Sequence, residues 1–139
     1  MRLVLLSLVS IASAQDLFLR DPPTGIDAHV LDTTEGHGAE GVKIDCHYQV
    51  GTKDGEQQWE YVSTQTTQPS GRTDLFTSTL KAGVYRLTYK VGDYYKAKNK
   101  DSFYPEIVIH FNVKASEVNQ NFHLPITLSE FGYSSYRGV

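Results

Sequence analysis

Cysteine is nearly absent: Cys46 is the only one, so no disulfide can form within the chain and the fold must hold by its core or by assembly. Within an alternating apolar run, Cys46 reads as a small buried hydrophobe rather than a reactive thiol. A basic excess is lacking too. The formal net charge is −3, with no stripe of Lys and Arg, which argues against a nucleic-acid partner. No Asn-x-Ser/Thr glycan acceptor occurs, nor any repeat or low-complexity tract. Long hydrophobic runs are also missing. The one apolar stretch, Leu3–Ile11, falls short of the ~20 residues needed to span a bilayer.

That stretch has another reading. Arg2 precedes it and Ala12-Ser13-Ala14 follows, a small-x-small pattern before Gln15, so residues 1–14 read as a secretory signal peptide cleaved after Ala14. Removing them takes away Arg2, leaving 12 basic against 16 acidic residues and a net charge of −4. Residues 15–25, with Pro22-Pro23, read as an extended leader, and 26–139 as a single domain. The expected location is outside the cell, and no membrane partner is expected.

Within the domain, apolar residues alternate with polar ones. Ile26, Ala28 and Val30 oppose Asp27, His29 and Leu31, and the run stops at Asp32 before the Gly-rich turn Glu35–Gly38. Val42, Ile44, Cys46, Tyr48 and Val50 carry the same period, and Asp54-Gly55 is a hairpin signal. Trp59, Tyr61 and Val62 open a third strand, Leu75–Leu80 is a candidate short fourth, and Tyr85–Val91 is a fifth. A short helix is predicted over Gly92–Lys100, with Asp93 as its cap and Tyr94, Tyr95 and Ala97 at helical spacing. Ile107–Val113 and two further runs, separated by a turn at Phe131-Gly132, complete the pattern. About eight short strands and at most one helix predict an all-β, two-sheet sandwich.

Some polar residues exceed what a plain sandwich needs. His29 lies mid-strand on the same face as Asp27; His123 occupies the face opposite Phe122, Leu124 and Ile126; Arg72 sits in the turn Ser70–Asp74. A histidine near its free pKa of about 6.5 can take and return a proton at neutral pH, and a guanidinium stays charged to hold an oxyanion. The C-terminus is also unusual, ending in Tyr136-Arg137-Gly138-Val139 after a β-forming run, where chain ends are normally polar and frayed. By contrast His47, His110 and His37 read as solvent-facing or structural.

Taken in order, His29-Val30-Leu31-Asp32, Gly71-Arg72, Phe103-Tyr104-Pro105-Glu106, His123-Leu124-Pro125-Ile126 and Gly132-Tyr133-Ser134-Ser135-Tyr136-Arg137-Gly138 resemble the transthyretin-like family. The Tyr-Arg-Gly ending resembles its 5-hydroxyisourate hydrolase branch more than the hormone carriers. The resemblance implies a transthyretin-like sandwich assembled as a homotetramer, with a channel walled by the first and last two strands. It implies hydrolysis of the cyclic amide of 5-hydroxyisourate to 2-oxo-4-hydroxy-4-carboxy-5-ureidoimidazoline, in urate degradation, without a metal or other cofactor. On that resemblance His29, Arg72 and His123 are catalytic, and Tyr136, Arg137 and Gly138 shape the substrate site, with Gly138 allowing close backbone approach. The histidines move protons and activate water while Arg72 binds and polarises the substrate. One departure stands out: Val139 replaces the family's terminal serine and cannot donate its hydroxyl. The rival readings are a secreted carrier of a small aromatic ligand and a structural sandwich with no pocket chemistry.

Overall fold

The alternating runs become strands because one face of each can be buried while the other meets solvent. The computed structural model describes residues 23–139, so the predicted signal peptide and most of the predicted leader lie outside the described residues. The described residues form eight strands: β1 (Gly25–Asp32), β2 (His37–Gly38), β3 (Lys43–Lys53), β4 (Glu56–Thr66), β5 (Gly83–Tyr89), β6 (Ile107–Val113), β7 (Asn121–Leu128) and β8 (Tyr133–Ser135). Among the described residues, one α-helix, α1 (Val91–Lys96), and a 3₁₀ turn, Ala115–Glu117, lie between them. Two four-stranded sheets result, in the orders β2-β1-β7-β8 and β4-β3-β5-β6.

The core is the sum of the inward faces. Ile26, Ala28 and Val30 of β1 and Phe122, Leu124 and Ile126 of β7 belong to one buried cluster with Ile44 and Cys46 of β3 and Leu87 and Tyr89 of β5. Each full-sized aliphatic side chain so buried contributes about 1.5–3 kcal/mol. Cys46 is fully buried, and its surroundings push the thiol pKa up to about 12, as expected of a packing residue. Tyr89 reaches across the core to donate its hydroxyl to the Leu124 carbonyl at 3.0 Å.

One pairing decides where the site forms. β1 and β7 run parallel, with Asp27 beside His123 and His29 beside Pro125, whereas every other strand pair is antiparallel. The register brings the polar faces of two segments nearly a hundred residues apart into one surface. It also keeps both apolar faces in the core, because a one-residue slip would invert every side chain.

Several sequence expectations shift. The candidate strand Leu75–Leu80 is instead irregular: residues 70–77 run along β1 through isolated bridges at Arg72 and Thr77. A side chain interrupts the ladder there, since Thr73 Oγ1 accepts the Ala28 N–H at 3.0 Å. His37 is not simply in a turn but in the two-residue β2, where it pairs with Glu35 at 3.3 Å. The helix begins at Val91 and ends at Lys96, and Asp93 does not cap it. Lys90 occupies the cap position without a side-chain bond, and Asp93 lies in the first turn, where a carboxylate favours the helix dipole. Val91, Tyr94 and Tyr95 are the face this helix buries. Tyr94 donates to buried Asp32 at 2.8 Å, and Asp32 in turn accepts the N–H groups of Thr34 and Glu35, fixing the turn after β1.

Candidate active site

Residues from β1, β7, the 70–72 segment and the C-terminal tail meet on the outer face of the β2-β1-β7-β8 sheet. His29 and His123 stand with ring centroids 6.2 Å apart, tilted by 42°. Both follow from alternation: on β1 and β7 the odd-numbered positions point away from the core.

Each imidazole has a partner that fixes its proton. His29 Nε2 lies 3.1 Å from the Ser70 carbonyl. A carbonyl only accepts, so Nε2 carries the hydrogen and Nδ1 keeps its lone pair. For His123 the arrangement is reversed. Its Nδ1 lies 2.9 Å from Asp27 Oδ1, so Nδ1–H donates to the carboxylate and Nε2 is the free acceptor. The His123 side chain is 13% exposed and Asp27 is 25% exposed, so solvent screens the pair only partly.

Arg72 comes to His29 by backbone geometry. A bridge pairs it antiparallel with His29, and neighbours across such a pair hold their Cβ atoms about 5 Å apart on one face. The loop is pressed against β1 where Val30 N–H donates to the Gly71 carbonyl at 2.8 Å. Gly71 has φ +80°, and a Cβ there would stand 2.2 Å from the Val30 carbonyl oxygen, so only glycine permits this approach. Arg72 is exposed and has no ion pair among the described residues. His29 is held below its ordinary pKa of 6.5 mainly by burial, with the positive charge of Arg72 adding to the effect. It is therefore neutral at physiological pH.

The tail closes on His123. Gly138 N–H donates to the His123 carbonyl at 3.0 Å, in an isolated bridge between the two residues. A Cβ at Gly138 would lie 2.4 Å from His123 Cδ2, so the backbone lies directly against the ring. Tyr136 is 61% exposed. It lines, with His123, Phe122, Phe111 and Arg137, a cleft of about 290 Å³ at the open edge between β6 and β7.

Arg137 borders that cleft, but its guanidinium is held by other partners. Its guanidinium donates to Glu117 at 3.2 Å and to Gln120 at 3.0 Å, and lies 4.7 Å over the Phe122 ring. Phe122 occupies the opposite face of β7 from His123, so the guanidinium is drawn toward that ring and makes no bond to the imidazole pair. Val139 is fully exposed and borders a separate cleft with Thr24, Asn119 and Asn121.

The sequence thus brought His29, Arg72, His123 and Gly138 to one place, but gave Asp27 no role. Its position two residues before His29 signalled a shared face; only the register with β7 shows that it serves the other histidine. His47 and His110 lie on the solvent face of the second sheet, His47 edge-on to Tyr61 and His110 stacked on Trp59, beneath which Arg86 packs at 4.3 Å. Among the described residues, no three His, Cys, Asp or Glu side chains gather closely enough to hold a metal ion.

The chain is similar to known proteins over most of its length. Residues 26–138 match the model of the HIUase/Transthyretin family. A "probable 5-hydroxyisourate hydrolase" of Caenorhabditis elegans is 42% identical over 119 residues, covering 84% of this chain and 83% of that protein. The solved structure of Klebsiella pneumoniae 5-hydroxyisourate hydrolase superposes with a TM-score of 0.67 at 28% identity, covering 84% of this chain and 99% of that one. Sea bream transthyretin in complex with thyroxine superposes with a TM-score of 0.71 at 25% identity, covering 82% and 94%.

Proposed function

The chain belongs to the HIUase/Transthyretin family, and on that premise we propose that it is a hydrolase that opens the cyclic amide of 5-hydroxyisourate. The observation that carries this reading is the meeting of two imidazoles of fixed, opposite tautomers, 6.2 Å apart, with Arg72 bridged to the His29 backbone, its charge felt at His29 and without an acidic partner among the described residues. An apolar carrier channel has no need of that set.

The reaction needs three things, and the site supplies a group for each. A water must lose a proton as its oxygen attacks the ring carbonyl, and an imidazole with a free lone pair accepts it. Negative charge then builds on the carbonyl oxygen, where a fixed cation such as Arg72 stabilises it more than it stabilises the ground state. The C–N bond breaks with its electron pair going to nitrogen, which takes a proton back from an imidazole. The product is a carboxylate, 2-oxo-4-hydroxy-4-carboxy-5-ureidoimidazoline. The proton taken from water ends on the leaving nitrogen and the new carboxylic acid releases its own to solvent, so the imidazoles return to their starting state and the cycle closes.

The test is direct. Purified protein added to freshly generated 5-hydroxyisourate should speed the decay of its ultraviolet absorbance over buffer. His29→Ala, Arg72→Ala and His123→Ala should each lower the rate by about 10²–10⁴-fold while leaving the assembled fold intact. Full activity in any one removes that residue from the scheme. The competing reading is a carrier, favoured by the likeness to thyroxine-bound transthyretin. It would show as saturable binding of a small aromatic ligand with no effect on 5-hydroxyisourate.

The same premise supports assembly as a homotetramer, which light scattering on the purified protein tests; a monomer at micromolar concentration would refute it. The residue 1–14 pattern supports export. N-terminal sequencing of protein from culture medium should then begin at Gln15, and retention inside cells would contradict it.

A further inference from the structure

We propose that Asp27 is a positioning residue that makes His123, rather than His29, the general base. This rests on the hydrolase reading above and adds to it a role that the sequence pattern left unassigned.

Two imidazoles share the site, and their surroundings differ in one decisive respect. When a base takes a proton from water it becomes a cation, and the group next to it decides whether that is tolerated. His123 would become an imidazolium with its Nδ1–H donated to a carboxylate oxygen at 2.9 Å. Such a charge-assisted bond is roughly twice as strong as a neutral one and strengthens as the ring charges. His29 would become an imidazolium facing the Ser70 carbonyl, which is only a dipole, with Arg72 as its cross-strand neighbour. The burial and positive charge that hold His29 below its ordinary pKa act in the same direction. The proton therefore goes to His123, at Nε2.

The carboxylate does a second thing. It accepts only, so it excludes the tautomer in which Nδ1 carries the lone pair, and Nε2 is left free toward solvent and substrate. His29 is left neutral, its Nδ1 lone pair able to hold an N–H or O–H of the substrate, with Arg72 alongside for negative charge. The arrangement is a carboxylate–imidazole–water relay on two adjacent parallel strands. Position 27 sits directly opposite 123 in the register, so the pair needs no loop to align it.

The substitution that isolates this role is Asp27→Asn. The amide has the same size, but can turn its NH₂ toward Nδ1 and stabilise the wrong tautomer. We expect kcat to fall on the order of 10²-fold with KM within about twofold, because the change touches proton transfer and not the groups that hold substrate. In ¹⁵N spectra of the histidine rings, the wild-type His123 should show a protonated Nδ1 and bare Nε2, and Asp27→Asn a mixed or reversed pattern. A merely structural Asp27 would instead lower the melting temperature and leave the ring tautomer unchanged. Turnover by Asp27→Asn within twofold of wild type, or a wild-type His123 with a bare Nδ1, overturns the proposal. Its failure is separable from that of the hydrolase reading. A wild-type protein that leaves 5-hydroxyisourate decay at the buffer rate sinks the function itself, whereas an active wild type with an equally active Asp27→Asn sinks only this assignment.

Discussion

Gly138→Ala adds one methyl group and tests whether the tail controls His123. The new Cβ would stand 2.4 Å from His123 Cδ2, 3.1 Å from Cγ and 3.2 Å from the His123 carbonyl oxygen, where ordinary contacts begin at 3.4 Å. Relief therefore needs about 1 Å of movement at the closest atom, and either the ring or the tail must give. If the ring turns, its 2.9 Å bond to Asp27 is lost; if the tail lifts, the 3.0 Å bond from Gly138 N–H to the His123 carbonyl goes instead. A displacement of that size at a catalytic group costs about 10²-fold in rate, or about 3 kcal/mol of barrier. The assay is decay of 5-hydroxyisourate absorbance at saturating substrate, with a melting curve run beside it. Because residue 138 lies outside the core, the melting temperature should hardly change. Gly132→Ala is the control, since its nearest atom beyond the chain neighbours is Ser129 Oγ at 3.8 Å, and it should behave as wild type. Turnover by Gly138→Ala within threefold of wild type would refute the reasoning, for the ring would then tolerate a clash that should move it.

Two further outcomes concern stability. Both His29 and His47 are held below their ordinary pKa of 6.5, in each case chiefly by burial. Above pH 6.5 both states are neutral there and nothing is lost; as pH falls below it the unfolded chain binds protons first, so stability declines toward the folded values. The urea midpoint should drop on acidification through this window, less steeply in a His29→Gln, His47→Gln double variant, and equal slopes would contradict the assignment. Tyr94→Phe removes the hydroxyl that Asp32 accepts at 2.8 Å, leaving a buried carboxylate one donor short. It should cost about 1.5–3 kcal/mol by urea denaturation at fixed protomer concentration, and a loss below 0.5 kcal/mol, well under that ~1.5 kcal/mol floor, would show the bond to be dispensable.

The parts of this molecule legible in its sequence are those that local chemistry decides. Period-two alternation located β1, β3, β5, β6 and β7 because each has one face in the core, and it placed His29 and His123 outside for the same reason. Where side chains compete with the backbone, the pattern misled. Thr73 takes a ladder hydrogen bond near the segment expected to be a strand, and Asp93 lies inside the helix it was expected to cap. What could not be read was tertiary register. Nothing local tells that Asp27 lies beside His123 and not beside Pro125, or that Glu117 and Gln120 wait for Arg137. The family resemblance supplied convergence of the imidazoles, but not the direction of each side chain at the terminus.

The parallel pairing of β1 with β7 has a consequence for the life of the chain. Asp27 and His123 are separated by 96 positions, and the backbone that packs on the imidazole is that of Gly138, further still along the chain. Contacts of such long sequence span form late and slowly. A nascent polypeptide cannot carry the complete constellation until Gly138 has been translated and has left the ribosome. Cleavage anywhere between His123 and Gly138 would free the backbone that rests on the ring, so the continuity of that segment bears on the site as directly as the imidazole itself.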